Sequence, residues 1–226
     1  MTFIIAIQLN DSIVITADHK IASLEDGEVQ LSSEDMHKMY AWRNGIITGT
    51  GEHYVISRAV EFFKKFVKSD LHKLGYCLDV SKSLRTLEIG KEYNQVKNSK
   101  LLCSCYTEQG AQLYTVQRFD DSKKHIMTAL KPMQIVIWLF HPNVDTVTEE
   151  LQNLHLNLKD YSYFDSQIDW VNHYLKYISP IYKKQCLQDP LMSESFDCFF
   201  QMKEEYLFGH IHNHQDSAIE FKVISS

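Results

Sequence analysis

Apolar residues along this chain gather first in short, near-continuous runs and then at helical spacing. Two runs, FIIAIQL and SIVITAD, flank the pair ND, a hairpin turn by composition. KMYAW and IITGT flank RNG in the same manner. The period then changes. Within EHYVISRAVEFFKKFVKSDLHKL the residues Ile56, Val60, Phe63 and Val67 recur at helical spacing. A second helix is predicted near VSKSLRTLEIGKEYNQVKN. Strands return with KLLCSCYT, AQLYTVQ, HIMTAL and MQIVIWLF, the first two joined by a turn at EQG. Helical patterns follow from Val144 to Leu156 and from Ser166 to Ile178, and a third is read over SESFDCFFQMKEEY. AIEFKVIS closes the chain as a strand.

The predicted order is therefore ββββ, αα, ββββ, ααα, β. Blocks of strands and blocks of helices argue against alternating βαβ units. Two antiparallel sheets with helices packed outside them would bury strands such as FIIAI and IVIWLF on both faces, which suits their lack of alternation. No repeat, linker or low-complexity segment interrupts the pattern, so residues 1–226 read as one domain.

Register brings candidate chemistry together. With ND as a two-residue turn, Leu9 pairs with Ser12, and pairing carried outward sets Thr2 opposite His19, with Asp18 and Lys20 on either side. In the second hairpin a turn at NG pairs Arg43 with Ile46, and Lys38 then reaches the neighbourhood of Gly49 to Gly51. A threonine hydroxyl needs a base to become a nucleophile. At the start of a chain its own α-amine is that base, with an ordinary pKa of about 7.7–8.0. A nearby lysine ammonium favours the neutral amine, an aspartate holds the lysine, and a backbone N–H in TGTG can bind an oxyanion.

Those residues resemble a known family. The opening T-x-[IV]-[IV]-A-[IV] pattern, then TADHK, then HKMY, then ITGTGEH, is similar to the proteasome β-subunit family. That family includes the peptidase subunit of the bacterial two-component protease and belongs to the N-terminal nucleophile (Ntn) hydrolases. The resemblance implies an α+β fold, a four-layer αββα sandwich, which agrees with the element order. It implies Thr2 as nucleophile after loss of Met1, Lys38 as its activator, Asp18 as the lysine's orienter and Gly49 as oxyanion donor. Lys20, Thr50, Gly51 and His53 are the substrate-side candidates. The implied reaction is hydrolysis of amide bonds in a peptide or protein, without a cofactor. The implied partners are further copies in a ring or related homo-oligomer, and an ATP-dependent unfoldase. Two features depart from the family. Its Gly-Ser-Gly segment is replaced by MTALKPMQ, where Thr128 is the nearest hydroxyl. Its D-x-x-S-G pattern has no clear counterpart, and NHQDSAIEF instead sets an Asp beside a Ser. A catalytically inactive assembly or binding subunit of the same fold is the alternative.

Composition narrows the remaining classes. A hydrophobic fraction of 44% and a charged fraction of 23% are those of an ordinary globular protein. A net charge of −6 argues against nucleic-acid binding, and FFKKFVK reads as a solvated helix face. No apolar run reaches membrane-spanning length. Five scattered cysteines, with no CxxC and no leader-like segment before Thr2, suit a reduced, cytoplasmic protein. Cys103 and Cys105 alternate onto one strand face as small buried hydrophobes. His210, His212 and His214 in GHIHNH would also share a face. They are read as a polar strand or turn face, because no carboxylate or cysteine nearby is aimed at them; a metal-dependent hydrolase or metal-binding protein using HIHNH is the weaker alternative.

Overall fold

The structure is a computed structural model, and it describes residues 2–20, 22–25, 28–31, 38–90, 93–108, 110–120, 123–139, 144–189, 192–202, 205–212 and 221–225. In chain order the elements are β1 (Ile4–Gln8), β2 (Ile13–Asp18), β3 (Ala22–Glu25), β4 (Glu28–Leu31), β5 (Tyr40–Trp42), β6 (Gly45–Thr50), α1 (His53–Lys65), α2 (Leu74–Ile89) and α3 (Asn94–Lys97). There follow β7 (Lys100–Thr107), β8 (Gly110–Gln117), β9 (Ile126–Ala129), β10 (Gln134–Trp138), α4 (Thr148–Leu156), α5 (Gln167–Gln188), β11 (Phe196–Gln201), β12 (Glu205–Ile211) and β13 (Phe221–Ser225).

Two antiparallel sheets carry the fold. One has the order β10-β1-β2-β11-β12-β13, the other β5-β6-β7-β8-β9, and β3 and β4 pair as a separate ribbon. Strand alternation divides the buried side chains into three cores. Phe3, Ile5, Ile7 and Val14 turn outward against Trp170, Tyr174, Ile178 and Tyr182 of α5. Ile4, Ala6, Ile15 and Ala17 turn inward to Ile46, Leu102 and Leu113 of the facing sheet. Ile47, Leu101 and Cys103 pack beneath α1 and α2. The layers are helix, sheet, sheet, helix, the αββα sandwich expected from the sequence. The six residues of β2 and of β11 are all buried, because both faces of these central strands are covered.

Helix ends follow their capping chemistry. Glu52 caps α1, accepting the Val55 N–H, and Ser166 caps α5, accepting the Asp169 N–H. The predicted helix through Leu74 breaks earlier. Lys68 and Ser69 both take left-handed backbone angles (φ 52° and 59°), which an α-helix does not permit, so α1 ends at Lys65 and α2 starts at Leu74. The helix read over SESFDCFFQMKEEY is corrected: that stretch contributes β11 and the start of β12. Burial on both faces erased the two-residue period, leaving an apolar run that reads equally as a buried helix. The ribbon β3–β4 had no counterpart in the predicted elements.

The first hairpin has the predicted register. The Leu9 N–H donates to the Ser12 carbonyl at 2.9 Å, and Ile4 pairs with Ala17. The second hairpin differs by two residues: Trp42 pairs with Gly45, so the turn lies at Arg43 and Asn44. Gly45 is already in the strand, where a Cβ would lie 2.5 Å from the Ser104 carbonyl oxygen. Carried outward, the observed register sets Lys38 opposite Gly49. A shift of two keeps every side chain on its expected face.

Buried polar side chains help to join the sheets. Gln8, at the end of β1, donates to the Ala111 carbonyl (3.0 Å) and accepts the Leu113 N–H (2.6 Å) across the inter-sheet space. Gln8→Leu strands both backbone groups away from water. We expect a loss of roughly 2 kcal/mol or more in urea unfolding, with the fold retained in circular dichroism.

Candidate active site

The cleft forms where the free ends of the two hairpins meet. Thr2 continues the inward-facing row of Ile4 and Ala6, and it is 7% exposed. The Asp18 N–H donates to the Phe3 carbonyl at 3.1 Å and the Phe3 N–H donates to the Asp18 carboxylate at 2.7 Å, so the chain start is held to the end of β2. The Lys20 N–H adds a second backbone donor to that carboxylate at 3.2 Å. Lys38 enters from the other sheet just before β5 and places its ammonium 2.8 Å from Asp18 Oδ1.

Thr2, Lys38, Tyr40, Gly49, Gly51, His53 and Ile56 line one small pocket. Gly49 has no room for a side chain, since a Cβ would meet the Lys100 carbonyl oxygen at 2.6 Å and the Leu101 side chain at 2.8 Å. Gly51 is required for a second reason, its left-handed φ of 121°. His53 opens α1 and is set in place by the Glu52 cap, whose carboxylate also pairs with Arg85 at 3.2 Å.

The electrostatics follow from burial. Lys38 is held below its ordinary value of 10.5 because burial disfavours the ammonium, against the opposing pull of Asp18 and, more weakly, Asp197. The His53 imidazole is also lowered, by burial first and then by the Lys38 charge. Burial pushes the Tyr40 phenol up to about 12, so it lines the pocket as a neutral hydroxyl.

The sequence-predicted residues thus divide. Thr2, Lys38, Gly49, Gly51 and His53 share the pocket, and Asp18 stands behind Lys38. Thr50 is buried on β6 and does not line the pocket, and Lys20 meets Asp18 through its backbone. Thr128 lies on β9 at a sheet edge, outside the pocket. The Asp and Ser of NHQDSAIEF, and His214, fall outside the described residues. His210 is brought against His19 and Asp197 instead.

No protein-family model matches the sequence, and no curated protein does. Solved structures do match. A helical assembly of the Anbu complex from Pseudomonas aeruginosa superposes with a TM-score of 0.63 at 9% identity, over 99% of this chain and 86% of that one. The fold is Anbu-like. An Anbu Gly-1 mutant from Hyphomicrobium sp. strain MC1 gives 0.60 at 9% identity, covering 100% and 88% of the two chains. Anbu from Yersinia bercovieri, an ancestral β-subunit, gives 0.60 at 8% identity over 88% and 81%. Among the described residues no helix is long and apolar enough to cross a membrane.

Within this Anbu-like frame, two supports of the chain start had no signal in the sequence. The Tyr182 hydroxyl of α5 bridges the Phe3 carbonyl (3.2 Å) and the Thr16 hydroxyl (3.1 Å), and its ring lies 4.8 Å from that of Phe3. Ser193 accepts the His19 N–H at 2.9 Å and donates to the Ser195 carbonyl at 2.7 Å, pinning the turn after Asp18. The spacing of an α5 tyrosine reads as core, and a loop serine carries no period.

The clamp is asymmetric. Lys38→Met leaves Asp18 with two backbone donors, whereas Asp18→Asn leaves a buried ammonium with only the weaker pull of Asp197. Urea unfolding should show about 3 kcal/mol lost for Asp18→Asn and distinctly less for Lys38→Met. The lysine's own titration gives a second check. Its Nζ resonance in 15N-lysine spectra should have a midpoint below 10.5. That midpoint should fall further in Asp18→Asn, because the carboxylate raises it.

Proposed function

We propose that this protein is an Ntn hydrolase that cleaves amide bonds through Thr2. The observation that carries the reading is a single pocket lined by Thr2, Lys38 and Gly49, with Lys38 clamped from behind by Asp18. After loss of Met1, the α-amine of Thr2 takes the hydroxyl proton as Oγ attacks the substrate carbonyl. The Lys38 ammonium stabilises the developing alkoxide and keeps the amine neutral. The Gly49 N–H receives the oxyanion. Collapse of the tetrahedral intermediate passes the amine proton to the leaving nitrogen. The resulting ester on Thr2 is then hydrolysed by water. Gly51 and His53 border the pocket where the substrate's flanking residues would lie.

The substrate class is a peptide or unfolded protein segment, since a cleft lined by strand ends and glycines admits an extended chain. The fold's likeness to Anbu, one example of which is a helical assembly, supports self-association of this chain as well. An unfoldase partner and a cytoplasmic location belong to the same reading. An inactive assembly subunit is the competing reading, favoured by Thr128 lying outside the pocket.

Intact-mass measurement with a peptide epoxyketone or boronate decides between them. The expected result is a chain lacking Met1 that gains one adduct, absent in Thr2→Ala and formed roughly 10²-fold more slowly in Lys38→Met. A chain that begins at Thr2 yet forms no adduct makes the protein a non-catalytic member of the fold.

A further inference from the structure

Three neighbouring strands of the larger sheet bring a second polar cluster together, on the face that looks toward the other sheet. Asp197 on β11 lies directly across from Ala17 on β2 and from His210 on β12. His19 follows Ala17 by two residues and so returns to its side of the chain. Neighbours on that face are apolar: Ala17, Phe199 and Phe208 all belong to or border the inter-sheet core. Within it, Asp197 is 0% exposed and His19 is 2% exposed. A carboxylate and an imidazole so placed must be compensated by hydrogen bonds, by countercharge or by an ion.

The donor atoms converge. His19 Nε2 is 2.7 Å from Asp197 Oδ1, His210 Nδ1 is 3.2 Å from the same oxygen, and the two ring nitrogens are 3.1 Å apart. Around a four-coordinate zinc ion with bonds of about 2.0–2.1 Å, donors sit about 3.3 Å apart. The triangle therefore has nearly the size of one face of such a site. Two imidazoles and one carboxylate are also the donor set of zinc centres that keep a fourth position open.

We infer that His19, Asp197 and His210 form a binding site for one divalent transition-metal ion of the zinc class. The two rings are stacked, with centroids 4.2 Å apart and planes 20° from parallel. Coordination turns one of them so that both lone pairs meet at a point. His210 is the ring that turns, because it is the less buried and the χ2 torsion of histidine is broad. His212, exposed and edge-on to His210 with centroids 4.1 Å apart, marks the solvent side from which the ion enters. None of the three lines the Thr2 pocket, although the cluster adjoins it through the pull of Asp197 on Lys38. The inference does not depend on the hydrolase reading.

The test uses the full chain, stripped with chelator and dialysed against Zn2+, with metal measured by elemental analysis. The same protein is loaded with Co2+ for visible absorption. One ion per chain is expected, with affinity reduced at least tenfold in His210→Gln and in Asp197→Asn. The cobalt form should show four-coordinate d–d bands without a thiolate charge-transfer band. His210→Gln changes a half-buried side chain on β12, so its circular dichroism should match the parent even if Asp197→Asn fails to fold. Absence of stoichiometric metal, affinity unchanged in His210→Gln, or a thiolate band would overturn the assignment and leave the trio as a hydrogen-bonded structural cluster.

Discussion

The Asp18 carboxylate is the interaction on which the rest of the cleft depends. It has no exposure, yet it accepts the Phe3 N–H, the Lys20 N–H and the Lys38 ammonium. Three separate pieces of chain are thereby fixed to one group. They are the amino end, the turn leaving β2 and the segment entering the second sheet. A buried carboxylate is tolerable only when its lone pairs are filled in this way. The arrangement also sets a lysine where burial opposes its charge and the carboxylate supports it.

Rigidity around that carboxylate comes from elements far away in sequence. Tyr182 reaches Phe3 from the helix layer, and its ring stacks on Phe196 at 4.2 Å between centroids. Ser193 holds His19. Gln8 binds the opposite end of β1 to β8. The strand that carries Thr2 is thus fixed at both ends and from both layers, while its side chains fill two different cores. Position, more than any unusual residue type, is what the fold supplies to Thr2.

The first hairpin was legible because a two-residue turn and two apolar runs leave few pairings, and the whole Thr2–Asp18–His19 neighbourhood follows from it. The second hairpin was legible only to within two residues. Nothing local says that Gly45 must lie against Ser104, a contact made with a strand more than fifty residues later. β11 was misread for the opposite reason. Its residues are buried on both faces, so hydrophobic periodicity carries no information there, and with it went Asp197. GHIHNH invited attention for its spacing alone, whereas the partners of His210 lie on β11 and just past the end of β2.

Asp18 and His19 are adjacent in the chain, but one serves the Thr2 pocket and the other the His19–Asp197–His210 cluster. This bears on which changes of length the protein can absorb. Between Phe3 and His19, one deleted residue would put an imidazole in the place of the Asp18 carboxylate, and one inserted residue would put that carboxylate in the place of His19, so either change undoes both sites. The stretch from Lys20 to His37 faces a looser condition, since the cleft needs only its two ends to arrive. Length variation among relatives of this chain should therefore collect after His19 and before Lys38, and be absent from the first hairpin.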